Sequence, residues 1–223
     1  THEGGHNLGL GHSSSRDFGT EALGALGAGG TLSEYGDKHS TMGSWNLGDY
    51  SALHKTAIGW FPYSSNVQTV ESAGTYSIGA YGTIGSDAKA LKIRRGTGNE
   101  LWLWAQSKGT SGVIIRYQDY ALGSGVKTHL LDFTPGSTTG DDFADAPLAA
   151  GRTWTDPYSN VSLTVTSATT SGASVQVNYG ALPCTRANPT VTISPDNPSV
   201  YQSSSAQSVA YSVSVKNNDS IGC

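Results

Sequence analysis

The residues best equipped for chemistry open the chain: Thr1-His2-Glu3-Gly4-Gly5-His6-Asn7-Leu8-Gly9-Leu10-Gly11-His12. On a helix, His2 and His6 lie one turn apart on the same face, so both imidazoles reach a single point. Glu3, beside the first of them, points off to the side, where a carboxylate can hold a water without being a ligand itself. Gly9 lacks a Cβ and can take the left-handed conformation that ends a helix. That turn brings His12 back towards the other two. Three converging imidazoles suit zinc, and three protein ligands leave the fourth tetrahedral position open, as in a catalytic centre. The chemistry implied is hydrolysis, with the metal polarising a carbonyl and Glu3 taking the proton of the attacking water. The competing reading, a glycine-rich surface segment with solvated histidines, leaves the spacing unexplained.

Such a site needs a floor and a frame. Met42, the only methionine, lies in Ser40-Thr41-Met42-Gly43, and by itself reads as a gap-filling core residue. Asp49 to Gly59 reads as the clearest helix, with Asp49 as N-cap, Leu53 and Ala57 a turn apart, and Gly59 as its stop. His54 is expected on the surface of that helix. His39 is expected at the surface or beside the site, outside the ligand set. Between these pieces, Ser13 to Phe18 reads as a polar loop and Gly19 to Gly30 as an irregular one.

The pattern through His12-Ser13 resembles the metzincin metallopeptidases, and Ser-Thr-Met-Gly looks like their methionine turn. The nearer resemblance is to the gametolysin type. It rests on His2 to His12, on Tyr35-Gly36-Asp37 ahead of Met42-Gly43, and on Tyr50-Ser51-Ala52-Leu53-His54-Lys55 leading to Ile58-Gly59-Trp60. It covers about the first sixty residues. Beyond Trp60 it rests only on short strands, Asp145-Ala146-Pro147-Leu148 and Thr155-Asp156-Pro157. The resemblance implies a secreted zinc endopeptidase acting on protein or peptide, with Zn²⁺ on His2, His6 and His12, Glu3 as general base, and Gly9 and Met42 shaping the site. Some metzincins place a tyrosine ligand two residues after the turn methionine. Ser44 stands there, so no such ligand is expected, and Tyr50 is too far along to take its place.

From Val67 the apolar period changes to two. Runs at 67–70, 75–78, 88–93, 101–105, 113–117, 128–133, 161–165 and 175–179 read as strands between Gly, Ser and Asn turns, with a hairpin turn at Gly96-Thr97-Gly98-Asn99. A mainly antiparallel β-sandwich is the natural architecture. Trp102 and Trp104 share one face of a strand and are expected in the core rather than as a sugar- or peptide-binding platform. Asp141, Asp142 and Asp145 offer hard oxygen ligands, but their spacing matches no calcium loop; a solvated loop is expected and calcium is unsupported.

Tyr179 to Pro183 reads as a linker. The alternating run Val209 to Val215 beyond it resembles the start of the immunoglobulin-like modules appended to secreted bacterial hydrolases. The expected organisation is α+β: a metzincin-like zinc subdomain at 1–62, a β-sandwich at 63–180 and an immunoglobulin-like β module at 184–223. With only Thr1 ahead of His2, the chain reads as a piece of a longer protein, cut at both ends, and residues 1–223 alone are expected to be inactive or very weak. Cys184 and Cys223 either pair in an oxidising compartment or stay free thiols with partners elsewhere.

Composition narrows the partners. Of 223 residues only 13% are charged and the net charge is −4, which argues against a nucleic-acid partner. No apolar run is long enough to span a bilayer. Because most of the chain is β-rich, an extracellular adhesion or carbohydrate-binding sandwich with a vestigial metal motif is the alternative class.

Overall fold

Strands far outnumber helices in this protein, and those of its larger unit stack as two sheets. A computed structural model describes residues 1–44, 49–95, 102–118, 126–137, 142–181, 184, 186–194 and 210–219. In chain order its elements are α1 (His2–Asn7), β1 (Leu10–Asp17), β2 (Thr31–Ser33), α2 (Ala52–Ala57), β3 (Val67–Val70), β4 (Gly74–Gly79), β5 (Ala90–Arg94), β6 (Trp102–Ser107), β7 (Val113–Gln118), β8 (Val126–Leu130), β9 (Thr153–Thr155), β10 (Val161–Thr169), β11 (Gly172–Tyr179), β12 (Thr190–Ser194) and β13 (Ser212–Lys216). A single 3₁₀ turn, Gly109–Ser111, precedes β7. The fold is mostly β with few helices, and most strand pairs are antiparallel.

The larger sheet runs β2-β1-β8-β7-β6-β5-β3, and the smaller runs β4-β11-β10-β9. Two pairings in the larger sheet, β1 with β8 and β3 with β5, are parallel. Period-two alternation sends Leu91, Ile93, Leu103 and Ile115 from the larger sheet against Val161, Leu163, Val175 and Val177 from the smaller, all at most 1% exposed. The opposite face of the larger sheet carries Ala90 and Trp104, and α2 covers it with Ala52 and Leu53. Trp104 is buried there as expected. Trp102 is half-buried, and the Lys92 ammonium lies 4.5 Å from the centre of its ring and 5.7 Å from that of Trp104.

Several local expectations are corrected. Ser13 to Phe18 is not a loop: Ser13 to Asp17 belong to β1, an interior strand of the larger sheet. Ser13, Ser14 and Ser15 are buried, and the Ser13 hydroxyl bonds to those of Ser40 and Thr128, each at 2.9 Å. Buried hydroxyls satisfied in this way carry no apolar signature. The helix begins later than expected, because Ser51 rather than Asp49 accepts from the His54 amide as N-cap. Asp49 instead pairs with Lys55. His54 is fully buried, not on the helix surface; its Nε2 bonds to the Val126 carbonyl at 2.7 Å. β2 and β9 had no visible signal; both are three-residue strands. The expected hairpin turn at 96–99 lies outside the described residues.

The chain divides into two compact units, Thr1–Gly180 and Ala181–Cys223. The expected divide at 62/63 falls inside the first, because β1 and β2 share a sheet with strands that follow residue 63. In the second unit β12 and β13 pair antiparallel, with Val191 opposite Val215 and Ile193 opposite Val213. Cys184 is disulfide-bonded. Cys223, the other cysteine, lies outside the described residues. No helix among the described residues is long and apolar enough to cross a membrane.

Candidate metal centre

Two elements and one loop bring His2, His6 and His12 together. Helix α1 places His2 and His6 a turn apart, and the Leu8 and Gly9 amides close it onto the carbonyls of Gly5 and His6. Gly9 then takes φ +80°, the left-handed turn that reverses the chain. His12 follows on β1, so the third imidazole stands on a strand of the larger sheet. The ligand atoms of the three rings all lie within 4.8 Å of one another. Among the described residues no other group of three His, Cys, Asp or Glu side chains comes this close.

Each imidazole is aimed through its second nitrogen. Nδ1 of His2 lies 2.8 Å from the Thr41 carbonyl, Nδ1 of His6 2.9 Å from the Leu10 carbonyl, and Nδ1 of His12 2.6 Å from a Glu34 carboxylate oxygen. Carbonyl and carboxylate oxygens only accept, so in each ring Nδ1–H donates and Nε2 keeps the lone pair. Oxygen partners of this kind orient metal-binding histidines and fix their tautomer. The sequence showed only that such partners were needed.

The spacing also suits zinc. Nε2 of His6 and Nε2 of His12 stand 3.2 Å apart. Two lone pairs at that distance repel unless a proton or a metal ion lies between them. Zn–N bonds of about 2.0–2.1 Å at the tetrahedral angle put two nitrogens roughly 3.3 Å apart. The donor set therefore fits zinc in its chemistry, and the His6–His12 pair fits it in separation.

Below α1 lies the turn Ser40 to Gly43, closed by the Gly43 amide on the Ser40 carbonyl at 3.0 Å. Met42 is fully buried in it, packed with Leu10 and Tyr50. A Cβ on Gly5 would sit 2.3 Å from the Met42 sulfur, so helix and turn approach as closely as a glycine allows. The same turn supplies the Thr41 carbonyl to His2, and the Met42 carbonyl accepts from the Ser13 amide at 2.8 Å. The Tyr50 hydroxyl donates to the Thr1 carbonyl at 2.8 Å and so braces the start of α1.

A buried ion pair anchors this loop to the sheet. Arg116 of β7 donates from Nε to Asp37 at 2.6 Å and from its other two nitrogens to Gln106, Asp37 and the His39 carbonyl. Both partners of the pair are at most 1% exposed. Asp37 also caps the His39 amide, and its carbonyl receives the Ser44 amide. The pairing was invisible in the sequence because its members are 79 positions apart.

Glu3 is exposed on α1, and the described residues give its carboxylate no hydrogen bond. His39 is half-buried and stands outside the trio; burial, with help from the nearby Lys108 charge, pushes it down to about 4. It lines a cavity of about 510 Å³ with Tyr81, Gln106 and Lys108, none of it shared with the three ligands. Of the acidic loop, Asp142 and Asp145 both accept from the Ser137 hydroxyl, and Asp141 lies outside the described residues. Two residues that no motif singled out as site residues, Glu34 and the exposed Tyr35, stand directly against the His12 ring.

No family model, no curated protein and no solved structure matches this chain.

Proposed function

We propose that this chain carries the zinc-binding part of a secreted endopeptidase that hydrolyses peptide bonds in extracellular proteins. The observation that carries the reading is the trio itself: three Nε2 lone pairs converging, each imidazole held from behind by its own oxygen acceptor. A zinc ion there supplies a Lewis acid for the scissile carbonyl. His2, His6 and His12 hold it, with their tautomers set by Thr41, Leu10 and Glu34. Glu3, one residue after His2 and free of intramolecular bonds among the described residues, takes the proton from the attacking water and returns it to the leaving amine. The disulfide at Cys184 supports an oxidising, extracellular compartment.

The test is metal content followed by hydrolysis. The purified chain is expected to bind one Zn²⁺ per molecule. On the protein in its full natural length, cleavage of an unfolded protein substrate is expected to be chelator-sensitive and lost in Glu3→Gln with the zinc retained. Zinc-free protein that instead retains a glycan ligand would establish the adhesion or carbohydrate-binding class.

A further inference from the structure

Tyr35 is the one non-glycine among the described residues with a positive φ, +63°. A bulky side chain in the left-handed region is strained, and such outliers persist where the surroundings impose them. The surroundings here are tight. Gly36 cannot take a Cβ, which would lie 2.2 Å from the Ser15 hydroxyl oxygen and 2.9 Å from the Ser33 carbonyl. The Gly36 amide closes the turn on that same Ser33 carbonyl at 3.0 Å. Glycine at position 35 would adopt the same backbone without strain. The tyrosine ring must therefore serve something other than the turn.

What it meets is the metal centre. Its ring centroid lies 4.1 Å from that of His12, tilted by 40°, and 5.7 Å from that of His2. The residue is 40% exposed, so it is not a core position of the fold. The residue before it, Glu34, grips His12 Nδ1 at 2.6 Å through a carboxylate that is itself 61% exposed. His12 needs such help more than its partners. His2 and His6 share a helix and bond to backbone carbonyls, which are fixed by the fold. His12 stands on a strand, and its acceptor is a solvated side chain with rotameric freedom.

We infer that Glu34 and Tyr35 form a two-residue clamp on His12, the carboxylate fixing the tautomer and the tyrosine ring fixing the plane, and that Tyr35 is kept in a strained backbone for this purpose. Tyr35 is thus a positioning residue. This rests on the zinc reading above and adds the element that prepares its third ligand. The contact is between two tilted rings whose centroids lie 4.1 Å apart, so the aromatic ring matters and the phenol oxygen does not.

Three variants of the full chain test it: Tyr35→Phe, Tyr35→Gly and Tyr35→Ala. Zinc affinity is read by competition with a chromophoric chelator, and melting temperature is read on the metal-free protein. Tyr35→Gly is expected to melt about 2–4 °C higher, as strain is released, yet to bind zinc at least about tenfold more weakly. Tyr35→Ala should lose the same affinity without the gain in melting temperature, and Tyr35→Phe should match the parent in both. Unchanged zinc affinity in the glycine variant would overturn the clamp. So would a lower melting temperature in that variant, which would make the ring a stability feature, or a phenylalanine variant as weak as the glycine one. Should the parent chain bind no zinc, the metal reading fails by itself. The clamp is then judged on metal-free protein from the ¹⁵N shifts of the His12 ring, which should report a single Nδ1–H tautomer in the parent and a tautomeric mixture in Tyr35→Gly. Identical shifts in the two would overturn it.

Discussion

Two ends of the larger sheet are built from different materials. Where it faces the smaller sheet, Leu103, Ile115, Leu163 and Val175 meet through apolar contacts alone. Where β1 and β8 run beside the three histidines, Ser13, Ser40, Thr128, Asp37 and Arg116 are just as buried, but hydrogen bonds and an ion pair join them. Apolar packing is non-directional and scales with the area removed from water. It stabilises without dictating where any one atom must lie. Hydrogen bonds impose distances and angles. The sandwich supplies the stability, and the polar end spends some of it on placing a carbonyl at His2 and a turn beneath α1.

The largest test of that division compares one residue from each end. Asp37→Ala leaves the Arg116 guanidinium buried without its carboxylate and should cost about 3–5 kcal/mol. It should also weaken zinc binding, since the loop that orients His2 hangs from that pair. Leu163→Ala, in the apolar core, should cost about 2–5 kcal/mol, with the folded molecules binding zinc as tightly as the parent. Urea unfolding combined with chelator competition separates the two. Equal zinc affinity in both variants would dissolve the distinction.

A smaller effect is expected from pH. Burial holds His54 at about 4, and His39 is also lowered to about 4. The unfolded chain takes up these protons near pH 6.5, whereas the folded chain resists them until about pH 4. The stabilisation is therefore complete above pH 6.5 and is lost as pH falls towards 4, by about 3 kcal/mol for His54 alone. Urea midpoints between pH 7 and pH 4 should show this slope. His54→Gln should remove one proton's share of it; an unchanged slope would show that His54 is not held neutral.

The smallest effect concerns Glu34. Its carboxylate is solvated, so water can stand in for much of its hold on His12. Glu34→Ala should weaken zinc binding about tenfold, at the low end for an outer partner of a metal ligand, and leave the melting temperature of the metal-free protein unchanged. An effect as large as that of Asp37→Ala would mean that exposed and buried polar partners position the site equally.

The legible parts of this protein were those whose signal is local. His2 and His6 on one helical turn, Gly9 at a left-handed turn and the alternating strands at 161–165 and 175–179 are short-range patterns, and the structure contains each of them. β1 was misread because its serines are buried by partners from Ser40 and Thr128, 27 and 115 positions away. His54 was misread because a single residue per turn does not reveal that α2 is covered on several sides, with residues 52–56 all buried.

By itself, the order of residues determined which side chains could bind a metal and which stretches would be strands. Both depend on side-chain chemistry and on periods of 3.6 and 2 that operate within one element. Only the tertiary structure decided what stands behind each histidine. The Thr41 and Leu10 carbonyls are backbone atoms with no residue-type signature, and Glu34 reaches His12 across 22 positions. The orientation of each imidazole is set by the group at its second nitrogen, and in this fold that group lies at the start of β1 or in a turn remote in sequence from the histidine it holds.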